Sequence, residues 1–253
     1  MNRIHIASCS FGKDSIATIL LALEHNEPLD RVVFAEVMFD HEREISGEIP
    51  EHIAWIYSTA IPKLESMGVN VDVVKAKKDY KYFFANAVGG GKYKGKLYGF
   101  PLGGKCTVNR ECKLKPIHDY YKQFDDEIVQ YVGIAIDEPK RLARIKKQGK
   151  IDKVSLLAKY GYTEDMAKHK CLEYGLLSPI YGGTRGGCWF CMNARLKDLA
   201  KFKLAHPMLW QELLELGKTP NLCSYGFKYG KTVQEIDERI NAINSQVKLF
   251  EDG

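Results

Sequence analysis

The stretch Ser8-Cys9-Ser10-Phe11-Gly12-Lys13-Asp14-Ser15 constrains the fold more than any other part of the chain. Before it, Arg3-Ile4-His5-Ile6-Ala7 reads as a short, mostly apolar strand. After it, Ile16, Ile19, Leu20 and Leu23 recur at i, i+3, i+4 and i+7, which is one face of a helix. A small-residue turn therefore joins the first strand to the first helix of a βα unit. Such a turn aims backbone N–H groups and a helix N-terminus at the space in front of it, making a ready anion site. Gly12 permits close approach, Ser10 and Ser15 add hydroxyl donors, and Lys13 adds positive charge.

Further along, residues 31–38 form an apolar run that predicts a second strand, ending at Phe39-Asp40-His41-Glu42. A helix is expected over about 50–66, with Pro62 kinking or ending it. Strands follow at Val69–Val74 and Ile128–Ile136, the latter ending at Asp137-Glu138-Pro139-Lys140-Arg141. Strands separated by helices predict a doubly wound, mostly parallel five-stranded α/β sheet of Rossmann-like form. Ligands bind such sheets beyond the carboxyl ends of the strands, so the Ser10–Ser15 turn and Asp40 are expected to face one crevice. Residues 137–177 are charged and read as helical. Helices are also expected at about 194–204 and 207–216. A last one starts at a capping box, Thr232 with Glu235 three residues on. The expected organisation is a nucleotide-binding α/β domain over 1–150 and a small helical, metal-binding part over 151–253.

Residues 88–105 break the pattern with seven glycines, four lysines and several aromatics. A structureless loop is expected there, serving phosphate contact with base stacking or simply solvated. The net charge of +5 is compatible with nucleotide or nucleic-acid partners and diagnostic of neither. The chain enters its first strand by residue 3, and no apolar run approaches the ~18–20 residues of a membrane span. The expected location is the cytoplasm, where seven cysteines read as ligands, redox groups or core packing.

Cys188-x-x-Cys191 sits between glycines and a helix start, a tight turn able to bring two thiolates onto one metal. Cys106 and Cys112 can complete four ligands, and spacing alone does not choose between Zn²⁺ and an iron–sulfur cluster. A redox Cys-x-x-Cys pair and buried bystanders are the other readings. Cys9 is most simply a buried strand residue, and the seven histidines, scattered without an i, i+4 pair, read as structural or exposed.

Ser10-Phe11-Gly12-Lys13-Asp14-Ser15 is not a Walker A loop, which needs two glycines before Lys-Ser/Thr. It resembles the pyrophosphate loop of the N-type ATP pyrophosphatases. Within them it is most similar to the PAPS (phosphoadenosine phosphosulfate) reductase-like branch, whose commoner loop has glycine where Phe11 stands. Lys113-x-x-Pro116-Ile117 leading into a helix, and a strand ending Gly133–Glu138 followed by Arg141 and Arg144, are similar too. Gly187-Cys188-Trp189-Phe190-Cys191, followed by His206-Pro207, looks like a phage- and prophage-associated subgroup. The resemblance implies ATP with Mg²⁺ among Asp14, Asp40, Glu138 and Arg141, with Ser10–Ser15 holding the leaving pyrophosphate. Lys13, Asp14 and Arg141 would carry the chemistry: attack on the α-phosphate to adenylate an acceptor. Sulfur-transferring relatives imply sulfur transfer as the next step, a [4Fe–4S] cluster in preference to zinc, a sulfur-donor protein, and an acceptor that includes nucleic acid among its candidates. Sulfonucleotide reductases instead work through a C-terminal Glu-Cys-Gly-type cysteine. Here the last cysteine is Cys223, and no adjacent Cys-Cys pair exists. Reduction of PAPS or APS stands as the alternative, and a non-enzymatic nucleotide- or nucleic-acid-binding module using residues 92–105 as a third.

Overall fold

The computed structural model describes residues 3–101, 106–182 and 186–251. Leu102–Lys105 of the glycine- and lysine-rich loop, and Gly183, Thr184 and Arg185 before the Cys-x-x-Cys turn, lie outside the described residues. In chain order the elements are β1 (Arg3–Ser8), α1 (Lys13–Glu24), β2 (Arg31–Glu36), β3 (Met38–Asp40), β4 (Ile45–Ser46), α2 (Pro50–Trp55), α3 (Ile61–Ser66), β5 (Val71–Lys75), α4 (Tyr80–Ala85) and β6 (Leu97–Gly99). They continue with α5 (Lys115–Tyr121), β7 (Glu127–Tyr131), α6 (Pro139–Leu142), β8 (Ile151–Val154), α7 (Leu156–Lys159), α8 (Glu164–Glu173), α9 (Leu196–Ala205), α10 (Pro207–Gly217), β9 (Leu222–Ser224) and α11 (Val233–Glu251).

The chain divides into two compact units, each assembled from three separate stretches of the sequence. The first comprises Met1–Glu36, Pro50–Ala76 and Lys113–Tyr181; the second comprises Val37–Ile49, Lys77–Cys112 and Gly182–Gly253. A single boundary near residue 150 is therefore not how the chain divides: residues 37–49 and 77–112 join the second unit, and 151–181 the first.

The first unit holds a five-stranded parallel sheet in the order β5-β2-β1-β7-β8, an α/β Rossmann-like fold with β1 at its centre. The inner strand β2 reads as a nearly continuous apolar run because both its faces are covered. Alternate residues go to opposite sides, as the pleat requires. Val32 and Phe34 enter the larger core with Ile16, Ile19 and Leu20 of α1; Val33 enters a smaller core with Tyr121 and Ile117 of α5. Residues 50–66 are one continuous helical stretch, as expected, and Pro62 does not end it. The turn Ile56–Ala60 ahead of it widens to a π turn, in which the Ile61 N–H donates to the Ile56 carbonyl five residues back. A wider turn just before proline accommodates the missing N–H and the ring.

Three expected boundaries are corrected. The strand over 31–38 leaves the parallel sheet after Glu36, and Met38–Asp40 pairs antiparallel with Ile45–Ser46 in the second unit. The strand over 128–136 stops at Tyr131. The helical stretch over 137–177 contains the edge strand β8, which pairs parallel with β7.

In the second unit, α11 packs on α9 and α10, and β6 pairs with β9. Its core is aromatic: Phe39, Tyr80, Phe84, Phe100, Trp189 and Phe190 are buried, as are Phe202, Trp210 and Phe227. Within the expected loop over 88–105, Leu97–Gly99 is thus a strand and Phe100 a core residue. Gly99 is required there: at φ +74, any Cβ would lie 2.4 Å from the Ser224 carbonyl oxygen. The capping box of α11 forms as expected, Glu235 N–H donating to Thr232 Oγ1 (3.2 Å) and Thr232 N–H to Glu235 Oε2 (2.8 Å).

Candidate functional site

In the 3-2-1-4-5 order of this sheet, the chain's direction of progress reverses at β1, between β2 on one side and β7 on the other. The carboxyl ends at that reversal are where open α/β sheets bind ligands. The loop after β1 runs from Cys9 to Gly12, and α1 begins at Lys13. Its conformation depends on Phe11, which has φ +56 and a fully buried ring. The left-handed region costs a residue with a Cβ about 1–2 kcal/mol. Full burial of the ring, with its edge-to-face contact to Phe34 at 5.2 Å, offsets that cost. The Phe11 N–H donates to the Cys9 sulfur at 3.2 Å. Burial pushes the Cys9 thiol up to about 11, so it stays protonated and serves as a brace.

Three distant side chains hold the loop from outside. The Lys13 N–H donates to the Tyr181 hydroxyl at 2.9 Å. The Cys171 thiol donates to the Lys13 carbonyl at 3.1 Å, and burial, with Asp14 nearby, pushes that thiol up to about 12. His52 is buried with Nε2 3.2 Å from the Ser10 carbonyl and Nδ1 2.7 Å from Ser178 Oγ. A carbonyl only accepts, so Nε2 carries the proton in that contact. On the β7 side, Gly133 folds over the start of α1. A Cβ on Gly133 would stand 2.7 Å from both the Asp14 carbonyl carbon and the Ser15 nitrogen. That close approach is why β7 cannot run straight on to Ile136.

The charged groups gather as a cluster. Lys13 Nζ lies 2.7 Å from Asp14 Oδ1 and 3.5 Å from Glu164 Oε2. Burial pulls the Lys13 ammonium down, but its bond to Asp14 and the charges of Asp14 and Glu164 outweigh this, so its pKa is raised. Asp14 is also raised. Burial is the main cause, and repulsion from Glu164 and Glu138 adds to it against the pull of Lys13. The arrangement is short of positive charge, which suits an incoming cation. Arg141 grips Glu138 with Nη1 at 2.5 and 2.7 Å from its two carboxylate oxygens and is half exposed. Ser10, Phe11, Gly12, Lys13, Asp14, Ser15, Glu138 and Arg141 thus all belong to the first unit.

Asp40 does not belong to it. β2 ends at Glu36, so Glu36 and not Asp40 stands at its carboxyl end, bonded to the Tyr57 hydroxyl (2.6 Å) and to Lys75 (3.0 Å). Within the second unit Asp40 accepts from Arg43 Nε and Lys81 Nζ, both at 2.9 Å, and from the N–H groups of Glu42 and Arg43. Burial opposes its ionisation, but these bonds prevail and hold its pKa at about 2.

Cys106, Cys112, Cys188 and Cys191 all fall in the second unit. Cys188 and Cys191 form the expected turn, the Cys191 N–H donating to the Cys188 carbonyl at 3.0 Å. That turn is anchored on β4 by the Trp189 indole, which donates to the Ser46 carbonyl at 3.0 Å. The Cys112 sulfur lies 3.7 Å from the Lys78 carbonyl, two residues before Tyr80. Tyr80 sits close enough to Cys106 and Cys188 for their charge to raise its pKa, after burial as the main cause. Among the described residues, no three His, Cys, Asp or Glu side chains stand close enough together to hold a metal ion. Their chemistry, and not their placement, is what suits a metal: four thiols are a donor set that zinc and iron–sulfur clusters take. Four sulfurs lie in one unit, two of them near a buried tyrosine hydroxyl that has no hydrogen-bond partner.

Sequence reasoning missed Glu164, Tyr181, His52, Cys171 and Gly133. Only Glu164 carried a local signal, as the first residue of a helix capped by Thr163.

No protein family profile and no curated protein matches the chain. Among solved structures it is similar to the U34-tRNA thiolase NcsA from Methanococcus maripaludis with its [4Fe-4S] cluster, at 15% identity and a TM-score of 0.43, over 94% of this chain and 72% of that one.

Proposed function

We propose that the chain is an ATP pyrophosphatase-type enzyme that binds ATP at the Ser10–Ser15 loop and adenylates an acceptor, with sulfur transfer as the following step. One observation carries the reading: a left-handed, externally braced loop joins the central strand to a helix N-terminus at the reversal point of a parallel sheet, with Lys13 and three carboxylates beside it. The loop backbone and the α1 N-terminus hold the β- and γ-phosphates, where N–H groups and the helix dipole favour anions. Lys13 neutralises charge growing on the bridging oxygen as the α–β bond breaks, and Arg141 supports it from the short helix α6. Asp14, with Glu138 or Glu164, would hold Mg²⁺, which takes one or two carboxylates plus phosphate oxygens and neutralises the leaving pyrophosphate. Gly133 keeps the start of α1 in place. Tyr181, His52 and Cys171 fix the loop so that it does not reorganise during reaction.

Cys106, Cys112, Cys188 and Cys191 would hold an iron–sulfur cluster or zinc. A cluster would supply a sulfur-handling centre and zinc a structural staple. Nucleic acid is one candidate acceptor, compatible with the net charge of +5 but not singled out by it.

The test is to incubate the protein with ATP, Mg²⁺, sulfide and total RNA and to follow the nucleotide by phosphorus NMR. AMP and pyrophosphate are the expected products. ADP with inorganic phosphate, or no consumption of ATP alongside tight binding of PAPS, overturns the proposal. Metal and acid-labile sulfide analysis of anaerobically purified protein, beside a Cys188→Ser/Cys191→Ser variant, decides between cluster and zinc.

A further inference from the structure

Tyr80 carries an unexplained polar group in the aromatic core of the second unit. Its ring stacks on Phe190 with centroids 4.2 Å apart and on Phe39 at 5.4 Å, and the residue is 2% exposed. Its hydroxyl is buried and has no hydrogen-bond partner, alone in this among the buried side-chain nitrogen and oxygen atoms of the described residues. A buried, unpaired hydroxyl costs stability. Phenylalanine would fill the same stack without that cost, so the hydroxyl is unexplained by packing.

Its neighbours are the cysteine segments. Phe190, stacked on the ring, lies inside the Cys188–Cys191 turn. The Cys112 sulfur lies 3.7 Å from the carbonyl of Lys78, two residues before Tyr80. Cys106 and Cys188 are near enough to act electrostatically on the phenol. A phenol hydroxyl carries one proton to donate, and here nothing accepts it. A neutral thiol is a weak acceptor, whereas a thiolate is a strong one.

We infer that Tyr80 is a positioning residue for the cysteine-bound metal centre: its hydroxyl donates a hydrogen bond to the sulfur of Cys106 or Cys188 once that sulfur is a metal-bound thiolate. The inference rests on the metal reading given above and extends it to a residue outside the ligand set. It accounts for the orphan hydroxyl, whose partner forms only with the metal. Outer partners of metal ligands typically contribute 10–100-fold to affinity.

Tyr80→Phe separates this role from a structural one because it moves two readouts in opposite directions. The metal-free variant is expected to unfold at equal or higher urea concentration than the metal-free wild type, since the unpaired group is gone. Its Zn²⁺ affinity, measured against a chromophoric chelator, is expected to fall by about 10–100-fold. The sulfur-to-metal charge-transfer band of the Co²⁺-loaded protein is expected to shift, because the hydrogen bond to sulfur is lost. Equal Zn²⁺ affinity and an unchanged Co²⁺ band in variant and wild type overturn the inference and leave the metal reading standing. A metal-free variant less stable than wild type also overturns it, because the hydroxyl would then have a structural partner. A wild type that binds neither probe, and behaves as Cys188→Ser does, overturns the metal reading and this inference together.

Discussion

The left-handed backbone at Phe11 makes a prediction with an unusual sign. Phe11→Ala removes a fully buried ring and keeps a Cβ at φ +56. Losing a buried phenylalanine costs about 3–5 kcal/mol. Phe11→Gly loses the same ring but releases the left-handed strain of about 1–2 kcal/mol. Against this, glycine surrenders about 0.5–1 kcal/mol more backbone entropy on folding than alanine. The balance puts the glycine variant ahead of the alanine variant by about 0–1.5 kcal/mol, centred on about 0.75, the reverse of the order at an ordinary position. Urea unfolding followed by circular dichroism, with the two midpoints compared at a shared slope, measures the difference. The glycine variant is also expected to keep more of the affinity for Mg·ATP, because the loop retains its path. An alanine variant more stable than the glycine variant refutes the left-handed loop, and with it the account of how these N–H groups are aimed.

Two further perturbations follow from the geometry. Gly133→Ala places a methyl 2.7 Å from backbone atoms of Asp14 and Ser15. It is expected to cost about 1–3 kcal/mol by overpacking and to weaken ATP binding at least tenfold, read by thermal unfolding and calorimetry. Asp40, whose pKa lies at about 2 against an ordinary value of 3.8, contributes stability above the ordinary value and loses it as pH falls through about 2. Wild type is therefore expected to lose stability between about pH 4 and pH 2 by more than Asp40→Asn does, in urea titrations at stepped pH.

Much of the architecture is legible in the chain because burial on both faces leaves a plain mark. Val32-Val33-Phe34 can only be a central strand, and the helix after Gly12 shows its period in Ile16, Ile19 and Leu20. The same uniformity conceals where β2 ends. Val37, Met38 and Phe39 are as apolar as Val33 and Phe34, yet they are buried in a different core. That misplaced Asp40 at the end of β2. β8 was hidden for the opposite reason: Ile151-Asp152-Lys153-Val154 is an edge strand with charged residues inside a charged stretch. The turn from β1 into α1 was legible through its local pattern of small residues ahead of a helix period. The positive φ at Phe11, where glycine is the residue that adopts such a backbone without cost, was not legible. The braces were not legible. Tyr181 meets Lys13 across 168 positions and His52 meets Ser10 across 42, and no local signal marks either.

The central claim is that ATP is held through its β- and γ-phosphates by the loop and Lys13. Calorimetric titration of Mg·α,β-methylene-ATP and of AMP onto wild type and Lys13→Ala tests it most directly. The account predicts that wild type binds the triphosphate well above AMP, and that Lys13→Ala weakens the triphosphate at least tenfold, about 1.4 kcal/mol or more, while leaving AMP unchanged. Equal affinity for AMP and the triphosphate, or a Lys13→Ala variant that binds the triphosphate as wild type does, would contradict it.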